Sequence, residues 1–152
     1  MSGVKIATVA DSISKLVISG VTLKDTDGIP EEVSERVCPI MFPDPDNFVT
    51  SLTVTPQSFG AGTSGKNDIR YTLNYVFLYA QVGSKRYLSD YIVGLVSKTV
   101  LILNSIIAND SVTGSVDIAP RIAGNFGQMQ DPAGNMFFGV MISVDVREFY
   151  EV

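Results

Sequence analysis

The chain has 152 residues, of which 45% are apolar and 18% charged, and this composition excludes a disordered protein and predicts one globular domain. Its net charge of −5, from 11 basic and 16 acidic residues, argues against a nucleic-acid binder, because neutralising phosphates requires clustered Lys and Arg. The chain contains no histidine, which removes the side chain most used for proton transfer near neutral pH and for zinc ligation.

The N-terminal segment predicts a helix. Apolar residues recur there at three- and four-residue steps, which favours a helix over residues 4–19. Gly20 stands where a helix C-terminus often needs a left-handed residue. The segment lacks the uninterrupted apolar centre and the cleavage site of a secretory signal, so we expect a protein made and used in a cytoplasm.

An acidic segment follows a short predicted strand over residues 21–25. Its five carboxylates are Asp25, Asp27, Glu31, Glu32 and Glu35. Their spacing does not match the twelve-residue Ca²⁺ loop, so no metal site is expected. We interpret the segment as an acidic face that is either solvated or turned towards a basic partner.

Residues 38–56 are rich in proline, which lacks a backbone donor and therefore argues against regular interior pairing. Apolar and hydroxyl side chains nevertheless alternate from 47 to 55, which predicts a strand with one polar face. Cys38 is the only cysteine and cannot form an internal disulfide. Because it has no histidine partner, we expect it to pack and not to act as a nucleophile.

The glycine-rich residues 57–68 precede a long strand signal over 69–82. Gly60–Lys66 fits seven positions of the phosphate-binding loop, but Asn67 replaces the required Ser or Thr and a strand follows instead of a helix. We therefore expect a hairpin tip, with no nucleotide or other cofactor. The strand is apolar on both sides only in its second half, so we expect its first half to project as an arm.

This arm is predicted to be a protein contact surface. Its candidate interface residues are Phe59, Gly60, Gly62, Gly65, Lys66, Arg70, Tyr71 and Tyr75. Stacking of nucleic-acid bases on its aromatic rings is disfavoured, because few basic residues lie between them.

The longest apolar run, Tyr87–Ala108, predicts the main helix. A membrane span would need about 20 apolar residues with few charges. Lys98 near the middle argues against a span. We expect Lys98 to face solvent or an interface, and we expect an apolar face to be buried against a sheet, comprising Ile92, Val96, Val100 and Leu103.

The remaining segments predict closing strands over residues 112–122 and 137–147. Pro120 assigns the first of these to an edge or a bulge, and Asp131–Asn135 forms a strong turn signal. The expected fold is α/β of the α+β type: a mixed, mostly antiparallel sheet, two helices packed against it and a projecting β-hairpin arm. No set of nucleophile, base and orienting group can be assembled, so an enzyme is not expected.

The order of these elements resembles the tail terminator, or tail completion, proteins of long-tailed bacteriophages. The segments that carry the resemblance are CPIMFPDPDNFVTSLTVTP, YTLNYVFLYAQV and GVMISVDVREFYEV, and residues 1–152 would form one such domain. The resemblance implies a structural virion protein of the neck, assembled in the host cytoplasm, whose homo-oligomer, a hexameric ring, caps the tail tube protein and meets the head connector. It implies no catalytic residue and no membrane, and DNA would pass through the ring without specific binding.

Two other functions remain open at this stage. One is a head-completion or connector protein of the same neck. The other is a small monomeric α+β module that binds a ligand or serves as an adaptor, which would need a pocket between helix and sheet.

Overall fold

A computed structural model describes residues 5–56, 66–83, 87–108 and 116–151. The elements in chain order are α1 Ile6–Ser14, β1 Thr22–Leu23, β2 Ile40–Pro43, β3 Val49–Pro56, β4 Lys66–Gln81, α2 Leu88–Ala108, β5 Asp117–Gln130 and β6 Met136–Glu151. A short 3-10 turn spans Glu35–Val37. The predicted α+β class, with two helices and a mixed sheet, is confirmed.

The six strands form one sheet in the order β1-β2-β4-β6-β5, and β3 pairs with β4 beyond the end of β2. The β1–β2 pair is parallel, and the other pairs are antiparallel. β4 is therefore hydrogen-bonded on both edges, to β2 and β3 on one side and to β6 on the other.

Side chains of β4 alternate between two cores. The main core lies on the helix side of the sheet and receives Tyr71, Leu73 and Phe77 from β4, together with residues of both helices. A smaller core on the opposite face contains Val76 and Leu78, which pack under the connector that follows β1. The second half of β4 is thus covered on both faces, as its apolar pattern predicts.

The prediction that the first half of β4 projects as an arm is wrong. Residues 66–73 pair with β3 on one edge and with β6 on the other. Ile69 and Leu73 are buried on the helix side. The sequence pattern identified a strand but could not show that the last residues of the chain pair with it. The predicted tip, residues 57–65, lies outside the described residues.

The expectation that prolines prevent regular interior pairing in residues 38–56 is wrong for β2. Despite the surrounding prolines, Ile40–Pro43 pairs with β1 on one edge and with β4 on the other. The prolines bracket the strand instead of interrupting it: Pro39 precedes it, and Pro43 is its last residue. The missing donors therefore fall at its two ends.

α1 is shorter than predicted, because it ends at Ser14. Gly20 does adopt a left-handed conformation, with φ +74°, but it lies in a separate turn before β1 and not at the end of the helix. In that turn the backbone N–H of Val21 donates to the carbonyl of Ile18 at 3.0 Å.

α2 buries a different face from the one predicted. Leu95, Thr99, Ile102 and Ile106 are fully buried, whereas Val100 is 46% exposed. Ile92, Val96 and Leu103 are half-buried on the flanks. The helix is apolar on several sides, so periodicity alone did not identify the inner one.

Polar contacts fix this rotation of α2. Thr99 can be buried because its hydroxyl donates to the carbonyl of Leu95 at 2.7 Å. Lys98 is partly buried, and its ammonium donates to the carbonyl of Ser19 at 2.8 Å. Gly94 lies against the ring of Tyr79, where a Cβ atom would overlap the phenol hydroxyl. The contacts of Lys98 and Gly94 with other elements require the observed face to point inward, and the bond of Thr99 within the helix permits it.

β5 lies at the edge of the sheet, as Pro120 predicts. The strand continues past the predicted end, to Gln130, through an irregular stretch between Ala123 and Gly127. Gly124 in that stretch has φ +85°, a conformation that favours glycine.

The turn between β5 and β6 holds the acidic segment in place through Asp131. The carboxylate of Asp131 is buried and accepts the backbone N–H of Val33 at 2.8 Å and that of Asn135 at 2.8 Å. Burial alone would raise the pKa of Asp131, but these donors outweigh it and hold the pKa below its usual value.

A second buried carboxylate joins the first helix to the last strand. Glu148 accepts the backbone N–H of Lys5, at 2.9 and 3.1 Å to its two oxygens, and the hydroxyl of Tyr71 at 2.7 Å. Burial, followed by the hydrogen bond to Glu148, raises the pKa of Tyr71. The start of α1 is therefore tied to β6 and to β4.

Tyr71→Phe should lower the free energy of unfolding by about 1–2 kcal/mol, because the Glu148 carboxylate loses a donor while remaining buried. Tyr75→Phe is the matched control. Tyr75 is equally buried in the same strand, but its hydroxyl has no hydrogen-bond partner among the described residues, so the substitution should leave stability unchanged or raised. Urea unfolding followed by circular dichroism measures both, and equal losses would contradict this account.

Candidate assembly surfaces

The outward face of α2 is apolar and uncovered. Val93 is 75% exposed, Val100 46% and Ile107 56%, and these three residues are seven positions apart. Ser97 and Asn104 lie between them, and both are exposed. Residues at alternating four- and three-residue steps form a straight line along a helix, the pattern of a helix that packs against a partner. We call this line the α2 stripe, and exposed Leu101 flanks it.

The α2 stripe carries no charge. Asp90 and Lys98 are the charged residues of α2: Lys98 lies on another side of the helix, and Asp90 lies on the same row as the stripe, three residues before its first residue, Val93. Solvent-facing helix surfaces of monomeric proteins are usually rich in charged and polar residues. An exposed, uncharged apolar row therefore indicates a contact surface.

Ser89–Ala108 is also long and apolar enough to cross a membrane, with a mean hydropathy of 1.8. Only 22% of this apolar segment is buried inside the subunit, on the face from Leu95 to Ile106 that packs on the sheet. Lys98 makes a polar contact with the Ser19 carbonyl near the middle of the segment. Most of the helix surface is therefore left to be covered by something other than this subunit.

β3 presents a second uncharged apolar patch. Leu52 and Val54 are 54% and 56% exposed, and Val49 is 37% exposed. All eight residues of β3 are uncharged. Val49 and Val54 pair with Leu73 and Ile69, so they lie on the helix side of the sheet. We call Val49, Leu52 and Val54 the β3 patch.

The two surfaces lie at opposite ends of the sheet. α2 packs mainly over β5, and to a lesser extent over β6 and β4. β3 pairs with the far edge of β4. The strand order β3, β4, β6, β5 places β3 three strand spacings from β5, about 14 Å at the usual separation of neighbouring strands.

The sheet face opposite the helices forms a polar trough with a volume of about 450 Å³. Its side chains come from four neighbouring strands, β3, β4, β6 and β5. Asp68 accepts from Arg147 at 3.0 Å and from Arg70 at 3.2 Å. Asp145 accepts from Arg121 at 2.7 Å and from the hydroxyl of Thr72 at 2.7 Å.

These ion pairs make the two carboxylates of the trough poorly suited to catalysis. Hydrogen bonds from Arg147 and Arg70 lower the pKa of Asp68, and the bond from Arg121 lowers that of Asp145. A carboxylate with a lowered pKa is a weak base, so Asp145 is poorly suited to activate Thr72. The arrangement suits a structural network in which each charged group has a hydrogen-bonded neighbour of opposite charge.

Asp145→Asn should reduce stability at neutral pH and progressively less in acid. Because the folded-state pKa is lowered, the pairing contributes fully above the unfolded pKa of about 3.9 and is lost as the pH falls through the folded value. Thermal unfolding of the variant and the parent should therefore converge at low pH. Asp27→Asn, an exposed carboxylate outside the trough, serves as control. An undiminished difference in acid would contradict the ion-pair assignment.

The acidic segment is mostly exposed, as its composition suggests. Asp27, Glu31, Glu32 and Glu35 are exposed, and Asp25 is half-buried with its carboxylate accepting the N–H of Thr26. Within the described residues, no cluster of three or more His, Cys, Asp or Glu side chains could hold a metal ion.

The predicted interface residues of the arm separate into three groups. Tyr71 and Tyr75 are buried in the main core, so their assignment to a contact surface is wrong. Arg70 is exposed but belongs to the trough. Lys66 is the first residue of β4, and Phe59, Gly60, Gly62 and Gly65 lie outside the described residues.

Cys38 is half-buried beside a cleft of about 410 Å³ that Tyr79 and Lys98 also line. Burial, together with the nearby Glu35 carboxylate, raises the pKa of its thiol to about 11. A thiol with this pKa is protonated at neutral pH and is a poor nucleophile. This geometry is consistent with a packing role.

No protein-family model matches the chain, and no curated protein is significantly similar to it in sequence. Sequence reasoning did not identify the α2 stripe or the β3 patch as surfaces. The seven-residue spacing of Val93, Val100 and Ile107 could have identified the stripe, because these residues form a second apolar row along the helix. A helix that packs on a single sheet buries only one of two such rows.

Proposed function

We propose that this protein is a structural, ring-forming subunit of a bacteriophage neck, a tail terminator that caps the tail tube and joins it to the head connector. The observation that carries the proposal is the uncharged α2 stripe, which is solvent-exposed in the single subunit. A helix that buries one apolar face in its own core and exposes another is suited to a subunit of an assembly.

The order of the elements supports the same assignment. A short first helix, a proline-rich strand, a long central strand, a main helix and two closing strands form the layout that resembles tail terminators. The α+β class that this resemblance implies is the class of the fold. We infer a hexamer from the resemblance alone.

The distribution of charge suits a conduit for DNA. The subunit has a net charge of −5, and each arginine of the trough is paired with an aspartate, Arg70 and Arg147 sharing Asp68. Phosphate binding depends on free basic groups, so a surface of this kind would not retain DNA that passes along it. Exposed carboxylates of the acidic segment, Asp27 and Glu31 among them, would face a basic partner protein or the lining of the channel.

The small ligand-binding module is less well supported by this geometry. The trough is open to solvent, whereas ligand sites are usually enclosed clefts or cavities. A cleft of about 410 Å³ does lie between helix and sheet, where Tyr91 and Lys98 of α2 face Tyr79 and Ala80 of β4, but it is open to solvent.

The test is assembly in the presence of the tail-tube protein of the same phage, measured by light scattering and electron microscopy. The parent chain should form a ring on tube ends and limit tube length. Val100→Asp should abolish ring formation without unfolding the subunit, since it places a charge in the α2 stripe but not in the core.

Val17→Asp is the matched control, because Val17 is 99% exposed and belongs to neither apolar surface. It should assemble like the parent. Absence of any ring or cap with the parent chain would refute the proposed function. If Val100→Asp assembles at parental levels, the α2 stripe is not the assembly surface.

A further inference from the structure

We propose that two copies of the free protein dimerise face to face, with the acidic segment of each copy seated in the trough of the other. The partner of the trough is thus a second copy of this chain, before any tube is present. The inference goes beyond the proposed function and does not rest on it, because it concerns the face opposite the helices and leaves the α2 stripe uncovered.

One face of the sheet carries both surfaces. Arg70 and Thr72, near the start of β4, line the trough. Val76 and Leu78 point to the same face near the end of the strand, and the acidic segment covers them, with its Val33 buried in the same small core. The face therefore has a hollow at one end and a raised part at the other.

A half turn joins these two ends reciprocally. The strand rises about 20 Å from Arg70 to Val76, at about 3.3 Å per residue. A twofold axis that runs along the face, at right angles to the strands near Asn74, places each raised part over the hollow of the other copy. Each copy then supplies both surfaces once, so the contact closes at two copies.

The two surfaces also agree in their position across the sheet. The trough spans β3, β4, β6 and β5. The small core beneath the acidic segment includes side chains of β2, β4, β6 and β5, and β2 lies on the same edge of β4 as β3. The half turn about this axis keeps that position unchanged, so the raised part meets the hollow without a sideways shift.

The exposed charges of the two surfaces are complementary. Asp27 and Glu31 are exposed carboxylates of the acidic segment. In the trough, the side chain of Asp68 is only 6% exposed, whereas Arg70 and Arg147, which bond to it, are 59% and 41% exposed. That corner of the trough therefore presents two guanidinium groups and hides the carboxylate between them, which suits an acidic partner surface.

The arginines of the trough have donors left for a partner. An arginine carries five N–H donors. Among the described residues, Arg70 uses two of them on Asp68, and Arg121 uses two on Asp145. The third aspartate of the trough, Asp117, lies opposite an arginine of β6. A carboxylate of the other copy can thus bond to a guanidinium without breaking the pairs inside the subunit.

Sedimentation velocity of the purified full chain, without tube protein, tests the dimer. The parent should sediment as a dimer at micromolar concentration, and added salt should shift it towards the monomer, because salt screens exposed charges. A monomer at every concentration up to millimolar would overturn the inference. Rings formed on tube protein by such a monomer would leave the proposed function standing, whereas a dimer that never forms a ring would refute that function alone.

Two substitutions at Ala119 separate charge from size. Ala119 is exposed in the trough and lies opposite Asp145 in the strand register. Ala119→Glu should weaken dimerisation at least tenfold, because it adds a carboxylate where the acidic segment docks, and Ala119→Lys should strengthen it. Val17→Glu, which adds the same charge at a residue that is 99% exposed outside both surfaces, is the control and should change nothing. Equal weakening by both Ala119 variants would contradict docking of the acidic segment.

Mixing two variants tests the half turn. Asp27→Lys combined with Glu31→Lys reverses charge on the acidic segment and should weaken dimerisation at least tenfold, as Ala119→Glu does. An equimolar mixture of the two variants should dimerise, because one contact is then the parental one and the other joins the new lysines to the new glutamate. Circular dichroism and the unfolding midpoint establish that each variant is folded. Folded variants that stay monomeric when mixed would rule out reciprocal docking.

Discussion

Hydrogen bonding along both edges of β4 positions every other element of the subunit. β4 pairs with β6 along one side, with an irregularity at Tyr79, and its residues 67–78 pair with β3 and β2 on the other side. β6 in turn holds β5, and the helices pack on the face that this four-strand arrangement creates. Pairing on both edges satisfies the backbone donors and acceptors of the middle of β4, where its side chains are buried on both faces.

The two faces of the sheet have different properties because of β4. Its side chains towards the helices enter the main core, whereas those on the other face change character along the strand. Near its end, Val76 and Leu78 form the small core under the acidic segment. Near its start, Arg70 and Thr72 form the trough with partners from β6 and β5. One strand therefore divides that face into a covered part and an open part.

The sequence identified most elements, and its failures have physical reasons. The strand period located β4 and β6, and Pro120 correctly indicated an edge strand. The period could not show that β4 pairs with the last residues of the chain, since pairing partners leave no local signal. α2 was predicted as a helix, but its buried face was wrong, because Val100 and Ile102 are equally apolar and Thr99 is buried through a local hydrogen bond. The β3 patch was not identified either, because its apolar residues fit the alternation of an ordinary strand with one polar face.

The bonds of Glu148 bear on how the chain reaches this fold during synthesis. Glu148 lies near the end of β6 and fixes both the start of α1 and the hydroxyl of Tyr71 in β4. The first helix therefore cannot dock fully, and the central strand cannot pair on its second edge, until the last strand has left the ribosome. Most domains can begin to fold from the N-terminus while translation continues. Here the nascent chain carries an incomplete core until β6 has been synthesised, so the apolar side of β4 is shielded only when β6 pairs with it.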